Sequence, residues 1–169
     1  MSNPPLNILF LCTHNSARSI LAEALLNAMG GDKFRAFSAG SSPRENQQPN
    51  PFALQALQSA GISIDGLHSK SWDAFATSAS TDAPKMDLVI TVCDNAAGEV
   101  CPFWPEQPAN AHWGYADPSE IEGTDEQRLA AFRHTMLLMQ KRLQLLVNLP
   151  LAGVNTLTLQ NEARNLSNA

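Results

Sequence analysis

The sequence has few of the features that membrane-spanning, secreted or nucleic-acid-binding proteins need. The chain has 169 residues, and none of its apolar stretches approaches the length of ~20 residues that a membrane span needs. Residues 1–11 do not combine a charged start with a long apolar region, so we expect a cytoplasmic protein. Against 16 Asp and Glu there are 11 Lys and Arg, and the net charge of −5 makes nucleic acids and anionic membranes poor partners.

Cysteine is also scarce, with three residues in the chain. Three is an odd and small number for a disulfide-stapled fold, which favours reactive thiols. No two cysteines have the short spacing of structural zinc sites, so we expect no bound metal. Length and a hydrophobic content of 44% suit a monomer with one domain at residues 1–150. We expect the extension at residues 151–169 to be docked or partly disordered.

Strand-like and helix-like patterns alternate along the chain. The predicted strands are residues 7–11, 34–38, 87–92 and 110–114, and the predicted helices are residues 20–29, 51–60 and 124–147. Because parallel strands need crossover connections, this alternation predicts a parallel sheet with helices on both faces.

A short polar loop follows the first predicted strand and precedes the first predicted helix. Backbone N–H groups at such a helix start attract anions, as does the helix dipole. The loop therefore predicts a site for phosphate or a similar tetrahedral oxyanion. The candidate oxyanion-binding residues are Thr13, His14, Asn15, Ser16, Ala17, Arg18 and Ser19.

Cys12, the residue that opens this loop, is a candidate nucleophile. We expect a thiolate there, because helix N-termini and nearby cations stabilise that form. The planar guanidinium of Arg18 can hold two oxygens of an oxyanion at once, and the Ser19 hydroxyl is placed to hydrogen-bond the sulfur. The alternative is a buried structural cysteine followed by a chance arginine. The strand before, the helix after and Ser19 together favour the catalytic interpretation.

Two further cysteines, Cys93 and Cys101, follow the third predicted strand. Residues eight apart in a helix lie about 12 Å apart along its axis, whereas a disulfide needs Cα atoms within roughly 7 Å. A bond between them therefore requires the segment to unwind. The alternative is two cysteines without a role. A thiolate in an oxyanion pocket with two more thiols suggests reduction, because arsenic(V) can accept the electrons of a thiol pair.

Asp117 lies in a loop after the fourth predicted strand, directly before Pro118. A carboxyl at this place could protonate a leaving oxygen as a general acid. An Asp-Pro pair is also an ordinary turn signal, so spacing alone leaves both interpretations open.

Together these motifs resemble arsenate reductases built on the low-molecular-weight tyrosine phosphatase fold, over residues 7–147. The matching motifs are the loop at residues 12–19, Ser38-Ala39-Gly40, Thr91-Val92-Cys93, Cys101-Pro102 and Asp117-Pro118. The resemblance implies a three-layer α/β/α fold with a four-stranded parallel sheet. It also implies Cys12 as nucleophile, Arg18 as oxyanion binder and Asp117 as general acid.

The resemblance further implies a relay of three thiols. Cys93 attacks the sulfur of Cys12 and releases arsenite, and Cys101 then moves the disulfide to the surface. There an external reductant, thioredoxin or glutathione with glutaredoxin, reduces it by thiol exchange. No cofactor is implied as permanently bound.

Some arsenate reductases of the family that this sequence resembles bind potassium near the catalytic loop. Asn15, Glu23 and Ser38 fit positions of that cation site, but its remaining acidic position falls at or near Ser71. The missing carboxylate argues against potassium dependence.

Two other functions compete with arsenate reduction. A phosphatase acting on phosphotyrosine or phosphate esters would use the same Cys12, Arg18 and Asp117. In the phosphatase branch an aromatic residue typically follows the Asp-Pro pair, whereas Ser119 follows it here. A non-enzymatic sensor of oxyanions or metals is the third possibility, and the acidic charge argues against a DNA-binding form of it.

Overall fold

The computed structural model describes residues 4–75, 84–94, 108–151 and 153–168. Within them, strands and helices alternate along the chain. The strands are β1 (Leu6–Cys12), β2 (Phe34–Gly40), β3 (Leu88–Thr91) and β4 (Ala109–His112). The helices are α1 (Arg18–Met29), α2 (Pro51–Ser59), α3 (Asp125–Val147) and α4 (Thr156–Asn165). Short 3₁₀ helices occupy Trp72–Phe75, Pro118–Glu120 and Leu166–Asn168.

All four strands form one parallel sheet in the order β2-β1-β3-β4. This confirms the predicted α/β fold with a four-stranded parallel sheet. Cys12 pairs with Gly40 of β2, Leu11 with Thr91 of β3, and Thr91 with His112 of β4. The carboxyl ends of the strands are therefore level, and ligand sites in open α/β sheets lie beyond that edge.

Alternate side chains of β1 point to opposite faces of the sheet, and both faces are buried. Ile8 and Phe10 belong to the larger core, which apolar residues from all four helices complete. Leu9 and Leu11 belong to a smaller core on the other face. Among the described residues, the 3₁₀ helix Trp72–Phe75 contributes to that second core.

The helix starts follow local sequence signals in three cases and depart from them in a fourth. The Asn50 side chain caps α2 by accepting from the Phe52 N–H, and Thr124 forms a capping box with Gln127 at the start of α3. At the start of α4, the Asn155 side chain accepts from the Thr158 N–H. At the start of α1, the cap residue Ala17 supplies no side-chain hydrogen bond. The first N–H groups of α1 therefore depend on other acceptors.

Helix α4 was not foreseen, because the sequence after residue 150 has mixed patterning. Its buried residues Leu159 and Ala163 join the larger core. The Trp113 indole N–H donates to the Ala163 carbonyl at 2.9 Å, and Arg164 Nε donates to the Asn110 carbonyl at 3.0 Å. The helix is thus docked on β4, while the expected domain division at residue 150 stays a prediction. No helix of the described ranges has the length and apolarity to cross a bilayer.

We expect Leu159→Ala to lower the free energy of unfolding by about 2 to 4 kcal/mol, because it removes a buried side chain. Leu159 is 3% exposed, whereas Leu157 on the same helix is 65% exposed. The matched variant Leu157→Ala should change the free energy of unfolding by less than about 0.5 kcal/mol. Urea denaturation measures both. Equal losses in the two variants would contradict the docking of α4.

Candidate active site

The Cys12 thiol lies at the carboxyl end of β1 and is enclosed by its own loop. The residue is 4% exposed and its thiol is free. Its Sγ is 2.9 Å from Ser19 Oγ and accepts from the Asn15 backbone N–H at 3.2 Å. Both contacts are available to stabilise a thiolate, because an N–H donates to the sulfur and a hydroxyl can do the same.

Asn15 fixes the shape of the loop. Its backbone is left-handed, with φ of 57°, a conformation that Asn tolerates better than most residues. Its side-chain amide donates to Ser19 Oγ at 2.8 Å and accepts from the Lys70 backbone N–H at 3.0 Å. Its carbonyl accepts from Ser69 Oγ at 2.6 Å. The Asn15 side chain therefore ties the loop to Ser19 and to the backbone of Lys70.

Gly40, at the end of β2, lies directly under the same loop. A Cβ atom at this residue would lie 2.7 Å from the Thr13 carbonyl oxygen and 3.0 Å from the Asn15 backbone nitrogen. The neighbouring backbone could not yield without moving the loop, so the close approach requires glycine.

Arg18 and Asp117 meet across the loop, although they are far apart in the sequence. Arg18 Nη2 lies 3.5 Å from Asp117 Oδ2, and Arg18 Nη1 donates to the Tyr115 carbonyl at 3.0 Å. The other carboxylate oxygen, Asp117 Oδ1, accepts from the Ser119 N–H at 2.9 Å and from the Ser119 hydroxyl at 2.7 Å. The Asp117 carboxyl is thus oriented from both sides.

The segment that carries Asp117 is anchored by aromatic packing. The Arg142 guanidinium lies 5.6 Å from the Trp113 ring centre and 4.9 Å from that of Tyr115, a stacking arrangement typical of cation–π contacts. Burial raises the pKa of Tyr115, and the neighbouring positive charge of Arg142 partly offsets that rise.

Cys93 follows β3 and is fully buried. It is disulfide-bonded, and since Cys12 is a free thiol, the bond does not join these two cysteines. Cys101, the third predicted relay cysteine, lies outside the described residues. The structure therefore brings Arg18 and Asp117 together at the end of the loop that Cys12 opens, and it places Cys93 beyond the neighbouring strand end.

Two of the residues expected at a potassium position, Glu23 and Ser38, contact the Lys70 ammonium group instead. Lys70 Nζ donates to the Ser38 carbonyl at 2.9 Å and the His68 carbonyl at 2.8 Å, and it lies 3.8 Å from Glu23 Oε1. The Ser38 hydroxyl donates to the same carboxylate oxygen. Burial lowers the pKa of Lys70, and the Glu23 carboxylate partly offsets this. These oxygens already serve a cation, so the residues present do not fit a potassium ion.

Several residues around the site were not identified from sequence. Ser119 had one available signal, because an Asp followed two positions later by Ser is typical of a side-chain-closed turn. The sequence carries no local signal for Ser69, for Lys70 or for the contact role of Gly40, because the partners of these residues lie in other elements.

His14, a predicted residue of the oxyanion loop, has its ring Nδ1 3.0 Å from the Ser42 carbonyl oxygen.

The chain is similar to known proteins in sequence and in fold. The chain matches the family described as low molecular weight phosphotyrosine protein phosphatase over residues 7–161. The arsenate reductase of Halalkalibacterium halodurans is 39% identical over 137 residues, which cover 81% of this chain and 91% of that protein.

Two solved structures extend the comparison. The arsenate reductase from Archaeoglobus fulgidus has a TM-score of 0.66 at 25% identity and covers 84% of this chain and 99% of its own. The thioredoxin-dependent arsenate reductase from Corynebacterium glutamicum has a TM-score of 0.54 at 28% identity, covering 86% of this chain and 65% of its own.

We expect Gly40→Ala to weaken phosphate binding by about tenfold, since the added methyl group displaces the loop donors and each 1.4 kcal/mol corresponds to tenfold. Isothermal titration with inorganic phosphate measures the loss. Ser41→Ala is the matched control, because it adds no atom under the loop. Unchanged phosphate affinity in Gly40→Ala would contradict the contact.

Tyr115 should make the folded protein lose stability at high pH. Folding raises the pKa of Tyr115 above 10.0 because the phenol is buried. Its contribution to stability is therefore complete below pH 10.0. That contribution is lost as pH rises from 10.0 through the raised pKa. Within that window the free energy of unfolding should fall by up to about 1.4 kcal/mol per pH unit. Urea denaturation at several pH values should show this fall in the wild type and not in Tyr115→Phe.

Proposed function

Because this chain belongs to the low molecular weight phosphotyrosine protein phosphatase family, we propose that its reaction is the reduction of arsenate to arsenite. The observation that carries the proposal is the free Cys12 thiol enclosed by loop donors, with Arg18 at the end of the same loop 3.5 Å from Asp117. The curated relative from Halalkalibacterium halodurans, at 39% identity, is itself an arsenate reductase. We place the enzyme in the cytoplasm as a monomer.

In the first step the Cys12 thiolate attacks the arsenic of arsenate held in the loop. A sulfur–arsenic bond forms while one arsenic–oxygen bond breaks. Asp117 donates the proton with which that oxygen leaves as water, since expulsion of hydroxide alone is slow. Arg18 and the backbone N–H groups at the start of α1 hold the remaining oxygens.

In the second step a thiolate of Cys93 attacks Cys12 Sγ. A sulfur–sulfur bond forms, the sulfur–arsenic bond breaks, and its electron pair stays on arsenic, which leaves as arsenite. Two thiols are oxidised to one disulfide while arsenic(V) becomes arsenic(III). Cys101 then attacks Cys93 and frees Cys12. The free thiol of Cys12 and the disulfide-bonded state of Cys93 support this order, because the last exchange would leave both.

The external reductant that closes the cycle is thioredoxin in this proposal. Its support is the likeness to the thioredoxin-dependent arsenate reductase of Corynebacterium glutamicum. Glutathione with glutaredoxin is the alternative donor. Arsenite formation under multiple turnover should continue with thioredoxin, its reductase and NADPH, and stop after a single turnover with glutathione and glutaredoxin. The reverse result would assign the second donor and leave Cys101 without a role.

The change Cys93→Ser should separate reduction from phosphate-ester hydrolysis. It removes the thiol that releases arsenite, so multiple-turnover arsenite formation should fall below detection. Hydrolysis of p-nitrophenyl phosphate, which needs Cys12, Arg18 and Asp117 alone, should keep its rate. Arsenic speciation and phenolate release measure the two activities. Arsenite formation at the wild-type rate would refute the relay, and ester hydrolysis without arsenite in the wild type would favour the phosphatase function.

A further inference from the structure

The ammonium group of Lys70 lies in a niche lined by oxygens beside the Cys12 loop. Within the described part of the chain, its oxygen neighbours are the carbonyls of Ser38 and His68 and the carboxylate of Glu23. The side chains of Lys70 and Glu23 are 16% and 14% exposed, so both charges are largely withdrawn from water. Backbone carbonyls combined with a carboxylate are the ligands that proteins offer to hard cations.

The niche is joined to the loop through the backbone of the same residue. The Lys70 N–H donates to Asn15 Oδ1 at 3.0 Å, and the Lys70 carbonyl accepts from the Gly40 N–H at 2.9 Å. Asn15 in turn donates its backbone N–H to Cys12 Sγ at 3.2 Å. The position of Lys70 therefore helps to fix the position of Asn15, whose backbone N–H contacts Cys12 Sγ.

Without a cation, the oxygens that line the niche would repel one another. The Glu23 carboxylate and the negative ends of the Ser38 and His68 carbonyl dipoles face the same ammonium. Without that ammonium, the carboxylate would keep the hydrogen bond from the Ser38 hydroxyl but no opposite charge, and a partly buried charge without a counter-charge is costly. A free cation could cancel this charge, but it would have to displace an ammonium that is covalently held in place. An attached charge has no entropy of association to overcome.

We propose that Lys70 is a positioning residue whose ammonium serves as a tethered cation, holding the oxyanion loop in its binding shape without potassium. The inference deepens the proposed function, on which it rests only for the identity of the oxyanion. Loop shape can be read without arsenate turnover, because phosphate bound in the loop protects the Cys12 thiol from alkylation.

The experiment measures how inorganic phosphate slows alkylation of Cys12 by iodoacetamide, with the modified residue identified by peptide mass spectrometry. Wild type, Lys70→Ala and the exposed-lysine control Lys33→Met are compared in potassium chloride, ethylammonium chloride and choline chloride at equal ionic strength. Wild type and Lys33→Met should differ by less than roughly twofold among the salts, because ionic screening is held constant.

Lys70→Ala should need about tenfold more phosphate for half-protection in choline chloride. Potassium or ethylammonium, which can enter the vacated niche, should restore most of that loss. Lys70→Met, which fills the space without a charge, should show the loss without the recovery. Lys70→Met also serves as the test variant if circular dichroism shows that Lys70→Ala does not fold.

Three results would overturn the proposal. A wild type that binds phosphate much more tightly in potassium than in choline would mean that the niche still requires a free cation. Wild-type phosphate affinity in both Lys70 variants would show that the ammonium does not position the loop. A loss in Lys70→Ala that neither cation repairs would show that the niche is not a cation site. None of these results depends on arsenite formation, so failure of the proposed function is recognised separately.

Discussion

The hydrogen bonds that converge on Asn15 hold the oxyanion loop in shape, and the rest of the site depends on them. This residue is fully buried and left-handed. Its backbone contacts Cys12 Sγ, its amide group contacts Ser19 Oγ, and its Oδ1 takes the N–H of Lys70. A buried polar network with its members satisfied is rigid, because any broken bond leaves a desolvated group without compensation. The loop can therefore present its donors to an oxyanion with little rearrangement.

The parallel sheet supplies the second constraint. Since the ends of β1, β2, β3 and β4 are level, residues far apart in the chain arrive at one edge. Arg18 and the Tyr115 carbonyl, 97 positions apart, are joined by a hydrogen bond of 3.0 Å. That bond ties the loop after β1 to the segment after β4 which carries Asp117. Helix α4 and Arg142 in turn brace this segment from outside through Trp113.

Much of the fold could be predicted from local pattern. The alternating strands and helices, the apolar run at β1 and the turn chemistry of Asn15 are encoded within a few neighbouring residues, and the structure has them at nearly the predicted bounds. Helix α4 escaped prediction because its two buried residues, Leu159 and Ala163, are too few to give a clear helical period. The sequence shows Ser119 in place of an aromatic residue, but the hydrogen bonds of Ser119 to Asp117 arise from the folded shape of the loop.

The sequence by itself determined the parallel α/β architecture, the oxyanion loop and the candidates Cys12, Arg18 and Asp117, because these depend on periodicity and on short motifs. Tertiary structure alone decided that Arg18 faces Asp117, that Gly40 lies against the loop and that the Lys70 ammonium occupies the niche beside Glu23. Each of those contacts joins residues that are distant in the sequence, and the residues adjacent to them in the chain do not predict the contact. Their geometry arises from strand register and helix packing, which local sequence does not specify.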